Sequence, residues 1–515
     1  MLTVGDWIRL NGKRYPNREA IVADDARRTF GEIAERSRQF AAGTKNLGLV
    51  RGDRVGVLAG NSAFNAELFF GISSAGLVYV AFNWRWAAEE LARAIIETHP
   101  SIIIFDDDHS ELLSQAIAII ESIFGSEFDE LPMLLGQQDA DALRGEAQYE
   151  ERAVTLEDPI CLLFTGGSTG VSKAVVLSHR SVNVAFLNEY IDCNIGAEPE
   201  ERGLVVTPLF HVAGLVVWMF THFASGKACV IASKFEESQF LELVERERIT
   251  NTFMIPNMMR QLMQAGVFEE QAVQRNLRAL HTGAGLVGLH DKEQFVETLP
   301  NAGLYIRYGL TEAGPMCTRL RPEDILKPEL DGSIGQEYRF AEVVLKGIEG
   351  NPDPTEPGEL GEICMRGPGM MSGYFNRPEA TAVTVRDGWL HTGDLAIRNE
   401  EGYYFFQDRL KEMIKSGGEN VYSSEVEQFL HLHPAVVEAA VLGVASERWG
   451  EEVRAVVSLR SGMDASGPEL SAFLRDHLAG YKVPKEYLFL APEELPRSGA
   501  GKLVKQQLKE QIGWA

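Results

Sequence analysis

Short, almost wholly apolar runs alternate with helix-like stretches through the first third of the chain. No other feature constrains the fold as much. The runs are VGVLAG at 55–60, LVYVAF at 77–82, SIIIFD at 101–106 and ICLLFT at 160–165. Runs this short and this apolar read as strands covered on both faces. Between them lie AELFFGISSAG and ELLSQAIAIIESIF, whose apolar residues recur at helical spacing. Alternation of this kind predicts an α/β fold, with largely parallel sheets covered by helices.

The pattern changes twice further on. An acidic loop at 137–158 separates one strand–helix block from the next, and after Gly332 glycine and proline become dense (EGNPDPTEPGELGEICMRGPGMMSGYF). Short strands between such turns suggest a small, distorted β-barrel. The second change comes at QDRLKEMIKSGGENVYSSEVEQFL. Beyond it EAAVLGVAS and VRAVVSL read as strands, and GPELSAFLRDHL and KLVKQQLKEQI as amphipathic helices. A chain of 515 residues exceeds what one hydrophobic core usually serves. The expected division is therefore 1–408, a large N-terminal domain, and 409–515, a small α+β domain.

A formal net charge of -25 speaks against nucleic acid or an anionic membrane as a general partner, since both select a basic face. Any anionic ligand then needs local positive groups. The five cysteines, Cys161, Cys193, Cys229, Cys317 and Cys364, contain no CxxC pair and read as reduced, buried thiols. No span of about 20 apolar residues exists to cross a bilayer. The N-terminus lacks the apolar segment of a signal peptide. A cytoplasmic enzyme is the expectation.

The stretch at 164–179, FTGGSTGVSKAVVLSH, carries the first chemistry. Glycines let backbone N–H groups approach an anion, hydroxyls add donors, and a lysine adds charge. It is not a Walker A loop, which needs glycine directly before the lysine and Ser or Thr directly after it. Ser172 and Ala174 stand there instead. Alone, the stretch is either a phosphate cradle or a plain Gly/Ser turn between two elements.

Its companions decide. FNWRW…EELARAI, FTGGSTGVSK, TPLFHVAG, TGAG, YGLTEAGP, GELGEICMRGPGMMSGYFNRPEAT, GWLHTGDLA, DRLKEMIKSGGENVYSSEVE and PRSGAGK follow one another almost from end to end. In order and spacing they resemble the adenylate-forming superfamily of acyl-CoA synthetases, adenylation domains and firefly-type luciferases. The wording is most like a carboxylate–CoA ligase. The resemblance implies ATP, Mg²⁺ and coenzyme A as cofactor and co-substrates. It also implies a C-terminal domain that rotates between two half-reactions.

Residue by residue, the resemblance assigns the ATP phosphates to Thr165, Ser168, Thr169 and Lys173. Ser172, Ala174 and Gly166 depart from the usual family wording but keep the lysine. Glu312 would hold Mg²⁺, as a hard cation wants a carboxylate, and Thr311 would donate to the α-phosphate. Tyr308 would stack on adenine, with Gly283, Ala284 and Gly285 letting the ring approach the backbone. Asp394 would accept from both ribose hydroxyls, with Arg409 as the second ribose contact and Lys411 at the hinge position. Lys502 would bridge the substrate carboxylate and the α-phosphate, where an ammonium reduces the repulsion of two anions. Gly417 and Gly418 would line the pantetheine tunnel, and Lys415 would face the site.

His211 matches a gating or substrate-facing position in PLFHVAG. The run VAGLVVWMFTHF has no acidic residue to hold a substrate ammonium, which favours an apolar or aromatic acid. Trp218, Met219, Met254 and Met258 are expected at the pocket wall or in the plain core. The implied activity is ATP-dependent conversion of a carboxylic acid to acyl-AMP and pyrophosphate, then transfer to the CoA thiol. Alternatives are transfer to a carrier-protein thiol or an amine, or a nucleotide-binding protein with impaired catalysis. A homodimer is the remaining partner the resemblance allows.

Overall fold

A computed structural model of the chain describes residues 2–24, 26–124, 131–143, 153–165, 172–285, 287–348, 352–416, 419–446, 448–460, 462–498 and 503–514. The four apolar runs all enter one seven-stranded sheet. Its order is Gly373–Tyr374, Lys173–Ser178, Pro159–Thr165, Val78–Ala81, Arg54–Leu58, Ile102–Phe105, Met133–Gly136. The last five strands are parallel and the first two antiparallel. Val78–Ala81 is buried along its whole length, as a central strand covered on both faces should be.

A second, fourteen-stranded sheet holds six parallel strands at its centre: Gly303–Tyr308, Ala279–Gly283, Asn251–Met254, Arg202–Val205, Ala228–Ile231 and Glu19–Ala23. The helix Ala63–Ser74 touches strands of both sheets and is buried from Ala63 to Ser73. A helix apolar all round belongs between two layers. Its one carboxylate, Glu67, is held by Arg28 Nε at 2.6 Å and Arg36 Nε at 2.5 Å.

The expected barrel does not close. Ser333–Glu337, Tyr404–Arg409, Trp389–Arg398, Leu360–Arg366 and Glu342–Lys346 form an antiparallel run that continues the large sheet through Thr318–Leu320. Ser333–Glu337 spends both edges, one on Thr318–Leu320 and the other on Tyr404–Arg409. Among the described residues, Glu342–Lys346 pairs only with Leu360–Arg366, so the run stays open.

The last hundred residues form a separate five-stranded sheet of Glu419–Val421, Ile414–Ser416, Gly450–Leu459, Val436–Ser446 and Glu486–Phe489. Helices Ser423–Leu432 and Gly467–Arg475 cover a core of Ile414, Val426, Leu430, Val441, Val453 and Leu470, drawn only from this segment. All five cysteines are buried and free. No helix among the described residues is long and apolar enough to cross a membrane.

Candidate active site

Parallel sheets place ligands at the carboxyl ends of their strands, and Thr165 lies at such an end. Thr165 ends Pro159–Thr165, and Lys173 opens the strand opposite it, the two being paired in register. Ala174 follows inside that strand and is fully buried beside Phe164. The departure from the family wording at this position is thus a core methyl group, set behind the lysine.

Glu312 arrives from the other sheet. After the strand Gly303–Tyr308 the chain makes one tight turn, Thr311–Ala313, ended by Gly314 at φ 72°. A side chain at Gly314 would strike the backbone carbonyl of Gly369, so the turn requires glycine twice over. The turn delivers Glu312 to Thr165. Its Oε1 accepts from Thr165 Oγ1 at 3.2 Å and from the Tyr374 hydroxyl at 2.8 Å. Lys173 Nζ stands 4.3 Å from the centre of the Tyr374 ring. Burial, reinforced by the Glu312 carboxylate, pushes the Tyr374 phenol above its usual range and keeps it a donor. Glu312 is 8% exposed and has no ion pair among the described residues. Among these, its side-chain hydrogen-bond partners are two neutral hydroxyls. The carboxylate and hydroxyl oxygens that meet here are donors that suit Mg²⁺. Thr311 heads the same turn, half-buried.

The second corner joins the central sheet to its antiparallel extension. Tyr308 closes the strand Gly303–Tyr308 and donates through its hydroxyl to Asp394 Oδ2 at 2.7 Å. Arg409 lies opposite Asp394 in register, its Nε 3.5 Å from Oδ1. The backbone around Asp394 is held from behind. Its own N–H donates to Thr392 Oγ1 at 3.1 Å, and Gly393 N–H donates to Glu362 Oε1 at 3.0 Å. Glu362 also meets His391 Nδ1 at 2.7 Å through its other oxygen. On the neighbouring strand end, Gly283 faces Arg307 in register. A Cβ there would stand 2.5 Å from the Arg307 carbonyl oxygen, so only glycine lets the two strands end side by side. Ala284 follows at φ 66°, a conformation costly for a side-chain-bearing residue, and Gly285 lies over the Pro256 ring. Gly283 thus borders the Tyr308 strand, and Gly285 lies near Pro256.

His211 sits in a turn closed by its N–H on the Pro208 carbonyl at 3.1 Å, its ring 4.6 Å from that of Phe210. The apolar run after it is wound as a π-helix, Ala213–Phe220, a form often found at functional sites. Trp218, Met219 and Met254 are completely buried, while Met258 is partly exposed on the helix Pro256–Gln264. Beneath the strand ends lies a charged cluster that no sequence motif marks. Arg307 donates to Glu189 Oε1 at 2.6 Å, contacts His281 Nδ1, and stands 5.6 Å from the Trp218 ring. His281 stacks on Tyr305 with ring centres 4.3 Å apart. Burial, and the Arg307 charge beside it, hold His281 neutral, well below the usual imidazole range.

Tyr374 and Glu362 are the other residues that motif reading passed over. Both lie inside stretches of the quoted motifs, SGYFN and GEICMRG, so the signal was present without an assigned role. Lys415 is exposed on the strand Ile414–Ser416, its backbone N–H on Glu451 Oε2 at 2.8 Å, and Lys411 is exposed just after Arg409. Ser168, Thr169, Gly417, Gly418 and Lys502 lie outside the described residues.

Two family models match the chain, the AMP-binding enzyme domain over residues 8–375 and the AMP-binding enzyme C-terminal domain over 425–502. A feruloyl-CoA synthase from Amycolatopsis sp is 34% identical over 510 residues, covering 99% of this chain and 99% of the relative. A fatty acid–[acyl-carrier-protein] ligase, ScoC, from Streptomyces coeruleorubidus is 31% identical over 98% of this chain and 95% of its own. Among solved structures, o-succinylbenzoate coenzyme A synthetase from Bacillus subtilis, in complex with ATP and magnesium ion, superimposes with a TM-score of 0.86. It is 27% identical, with 98% of this chain and 99% of that one covered. With a family model matching residues 8–375, and with relatives that match this chain almost from end to end, the chain belongs to the family of AMP-binding enzymes.

Proposed function

We propose that this chain is an AMP-forming carboxylate–CoA ligase for an aromatic acid, and that the crevice between Glu312 and Asp394 is where the acid meets ATP. One observation carries the reading. Thr165, Lys173, Glu312 and Tyr374 form one cluster, and Tyr308, Asp394 and Arg409 another, with Tyr308 and Glu312 four residues apart in the chain. The first set suits phosphates and the second a ribose.

In the first half-reaction a carboxylate oxygen of the acid attacks the α-phosphorus. A C(O)O–P bond forms and the bond to the β-phosphate oxygen breaks, releasing pyrophosphate. Lys173 and Thr165, with Ser168 and Thr169, hold the departing phosphates. Thr311 donates to the α-phosphate, and Lys502 brings the two anions together. Glu312 would hold magnesium, which when bound neutralises charge gathering on the phosphates. Asp394 and Arg409 hold the ribose, while Tyr308 and the 283–285 turn flank adenine. In the second half-reaction the CoA sulfur attacks the acyl carbonyl, a C–S bond forms, and the acyl C–O bond to AMP breaks. Gly417 and Gly418 leave room for pantetheine, with Lys415 facing the site and His211 gating it. Lys411 marks the hinge on which the C-terminal domain, 409–515, turns between the two steps.

The acid is taken as aromatic on two grounds. The run 212–223 offers no carboxylate to an ammonium-bearing substrate, and the feruloyl-CoA synthase relative acts, by its name, on such an acid. The likeness to ScoC supports a carrier-protein thiol as the second reading of the acceptor. ATP and CoA as substrates fit a cytoplasmic enzyme. The test is pyrophosphate release across a panel of hydroxycinnamic, arylacetic, benzoic and fatty acids, alone, with CoA, and with a phosphopantetheinylated carrier. Release with an aromatic acid and thioester only with CoA supports the proposal. Thioester only on the carrier moves the acceptor. Absence of release with every acid overturns it.

A further inference from the structure

Behind Asp394 a thiol, an imidazole and a carboxylate meet, none of which takes part in the chemistry of adenylation. The strands Leu360–Arg366 and Trp389–Arg398 pair with Cys364 opposite His391 and Glu362 opposite Leu395. One strand takes two steps where the other takes four, so residues 392–394 form a bulge. At its base Cys364 Sγ stands 3.2 Å from His391 Nδ1, and the same nitrogen stands 2.7 Å from Glu362 Oε2. Three side chains thus bring one ligand atom each to a single point, and all three come from paired strands. Cys364 and Glu362 are buried, while 16% of the His391 side chain reaches solvent.

Thiolate, imidazole and carboxylate together are ligands of zinc, which accepts three protein groups and one water in a tetrahedron. The thiolate disfavours magnesium and calcium, which take oxygen. Among the described residues one other group of this kind occurs, Glu189, Cys193 and His281. Its centre is taken by the Arg307 guanidinium, which contacts both Glu189 and His281 and would repel a cation. At the strand cluster Arg386 Nη2 lies 3.6 Å from Glu362 Oε2, but on a half-exposed side chain that can turn into solvent.

We propose that Glu362, Cys364 and His391 form a site for zinc or a cation of its class, and that filling it weakens ATP binding through the bulge that carries Asp394. As the ion binds, the thiol proton leaves to solvent, the imidazole proton moves to Nε2, and Sγ, Nδ1 and Oε2 bond the metal. Zinc bonds of about 2.0–2.3 Å in a tetrahedron hold ligand atoms roughly 3.3–3.6 Å apart. His391 Nδ1 and Glu362 Oε2 must therefore part by about half an ångström. Glu362 cannot move alone, because its Oε1 accepts the N–H of Gly393, a residue at φ 74°, at 3.0 Å. Thr392 ties the bulge further, donating to the Ile363 carbonyl at 2.7 Å and accepting the Asp394 N–H at 3.1 Å. The displacement passes to Asp394. This coupling rests on the assignment of Asp394 to the ribose, whereas the metal site itself does not.

The experiment titrates the chelator-treated full chain with Co²⁺, whose thiolate bond gives a near-ultraviolet charge-transfer band, and then with Zn²⁺ in competition. One equivalent of Co²⁺ is expected to bind with that band, and Zn²⁺ to displace it. The band is lost in Cys364→Ser and kept in Cys193→Ser. ATP affinity is then read by calorimetry with excess magnesium, each protein being compared with its own metal-free state. One equivalent of zinc should weaken ATP binding by about 10-fold in the wild type, the scale of one charged hydrogen bond disturbed. A chelator restores it, and Cys364→Ser shows no such change. Absence of the thiolate band, a band that persists in Cys364→Ser, or unchanged ATP affinity in the zinc-loaded wild type overturns the proposal. Should Cys364→Ser fail to fold, His391→Asn must weaken cobalt binding by at least about 10-fold. Wild-type ATP affinity in metal-free Asp394→Asn refutes the ribose assignment instead, whatever cobalt shows.

Discussion

The phenol of Tyr308 and the carboxylate of Asp394 share a 2.7 Å hydrogen bond that joins the end of the parallel sheet to its antiparallel extension. Arg409 approaches the other oxygen of Asp394. An ionised carboxylate accepts at about four lone-pair sites, and a ribose offers two hydroxyl donors. Hydrogen bonds to a charged group are worth roughly 1.5–3 kcal/mol each. Asp394→Asn, which turns one acceptor oxygen into a donor, is expected to weaken ATP binding by about 10- to 100-fold. Tyr308→Phe has a smaller effect in the same direction. Calorimetric titration with ATP checks this, and unchanged affinity in Asp394→Asn contradicts the ribose assignment.

Glu312 is a buried carboxylate with no ion pair among the described residues. Glu312→Gln keeps the shape and removes the charge. The first half-reaction is expected to slow by about 10²- to 10³-fold, the scale of losing one preorganised electrostatic group. The magnesium concentration for half-maximal pyrophosphate release should also rise. A variant with wild-type magnesium dependence rules Glu312 out as the metal residue.

Arg307 and Glu189 make the most deeply buried ion pair near the site. Removing one partner strands a buried charge and typically costs about 3–5 kcal/mol, whereas replacing both with apolar residues of similar volume is often neutral. Arg307→Met is expected to lower unfolding free energy by that amount, and Arg307→Met with Glu189→Leu to recover most of it. Denaturant unfolding of both variants measures the difference. Equal stability of the single variant and the wild type would mean the pair is not isolated from solvent.

His179 carries the clearest pH dependence. It is 1% exposed, and its Nδ1 accepts the Val4 N–H at 3.2 Å, tying the first helix to the helix His179–Asp192. Burial drives its pKa from 6.5 down to about 4. The unfolded chain therefore binds a proton that the folded chain refuses. Stability is complete above pH 6.5 and falls as pH drops towards about 4. The loss from this group is at most about 3 kcal/mol. His179→Asn, which still offers an acceptor to Val4, should flatten unfolding free energy over this window. An unchanged slope contradicts the buried neutral imidazole.

The parallel strands were legible because a strand covered on both faces must be apolar at every position, as Val78–Ala81 is. The barrel was not. Closure depends on which distant edges pair, and Ser333–Glu337 gives one edge to Thr318–Leu320 instead of completing a ring. The π-helix at Ala213–Phe220 was hidden for a related reason, since a run apolar on every side carries no periodicity to betray its winding. Thr165, Lys173, Glu312, Tyr308, Asp394 and Arg409 each sit in a short motif, and the structure brings Glu312 to Thr165 and Asp394 to Tyr308 and Arg409. Glu189 and Arg307 could not be read, since their ion pair spans 118 residues and neither has a local pattern. Tyr374 stood in a recognised motif, but its service to Glu312 appears only when the strand Gly373–Tyr374 docks on Lys173–Ser178.

Exchange of labelled pyrophosphate into ATP reads acyl-AMP formation directly, with no acceptor present. With the aromatic acid selected by the panel and no CoA, the wild-type chain should catalyse exchange that requires both acid and magnesium. Lys502→Ala should retain about a hundredth of that rate or less. Exchange that proceeds without acid, or at the wild-type rate in Lys502→Ala, would contradict an adenylation site completed from the C-terminal domain.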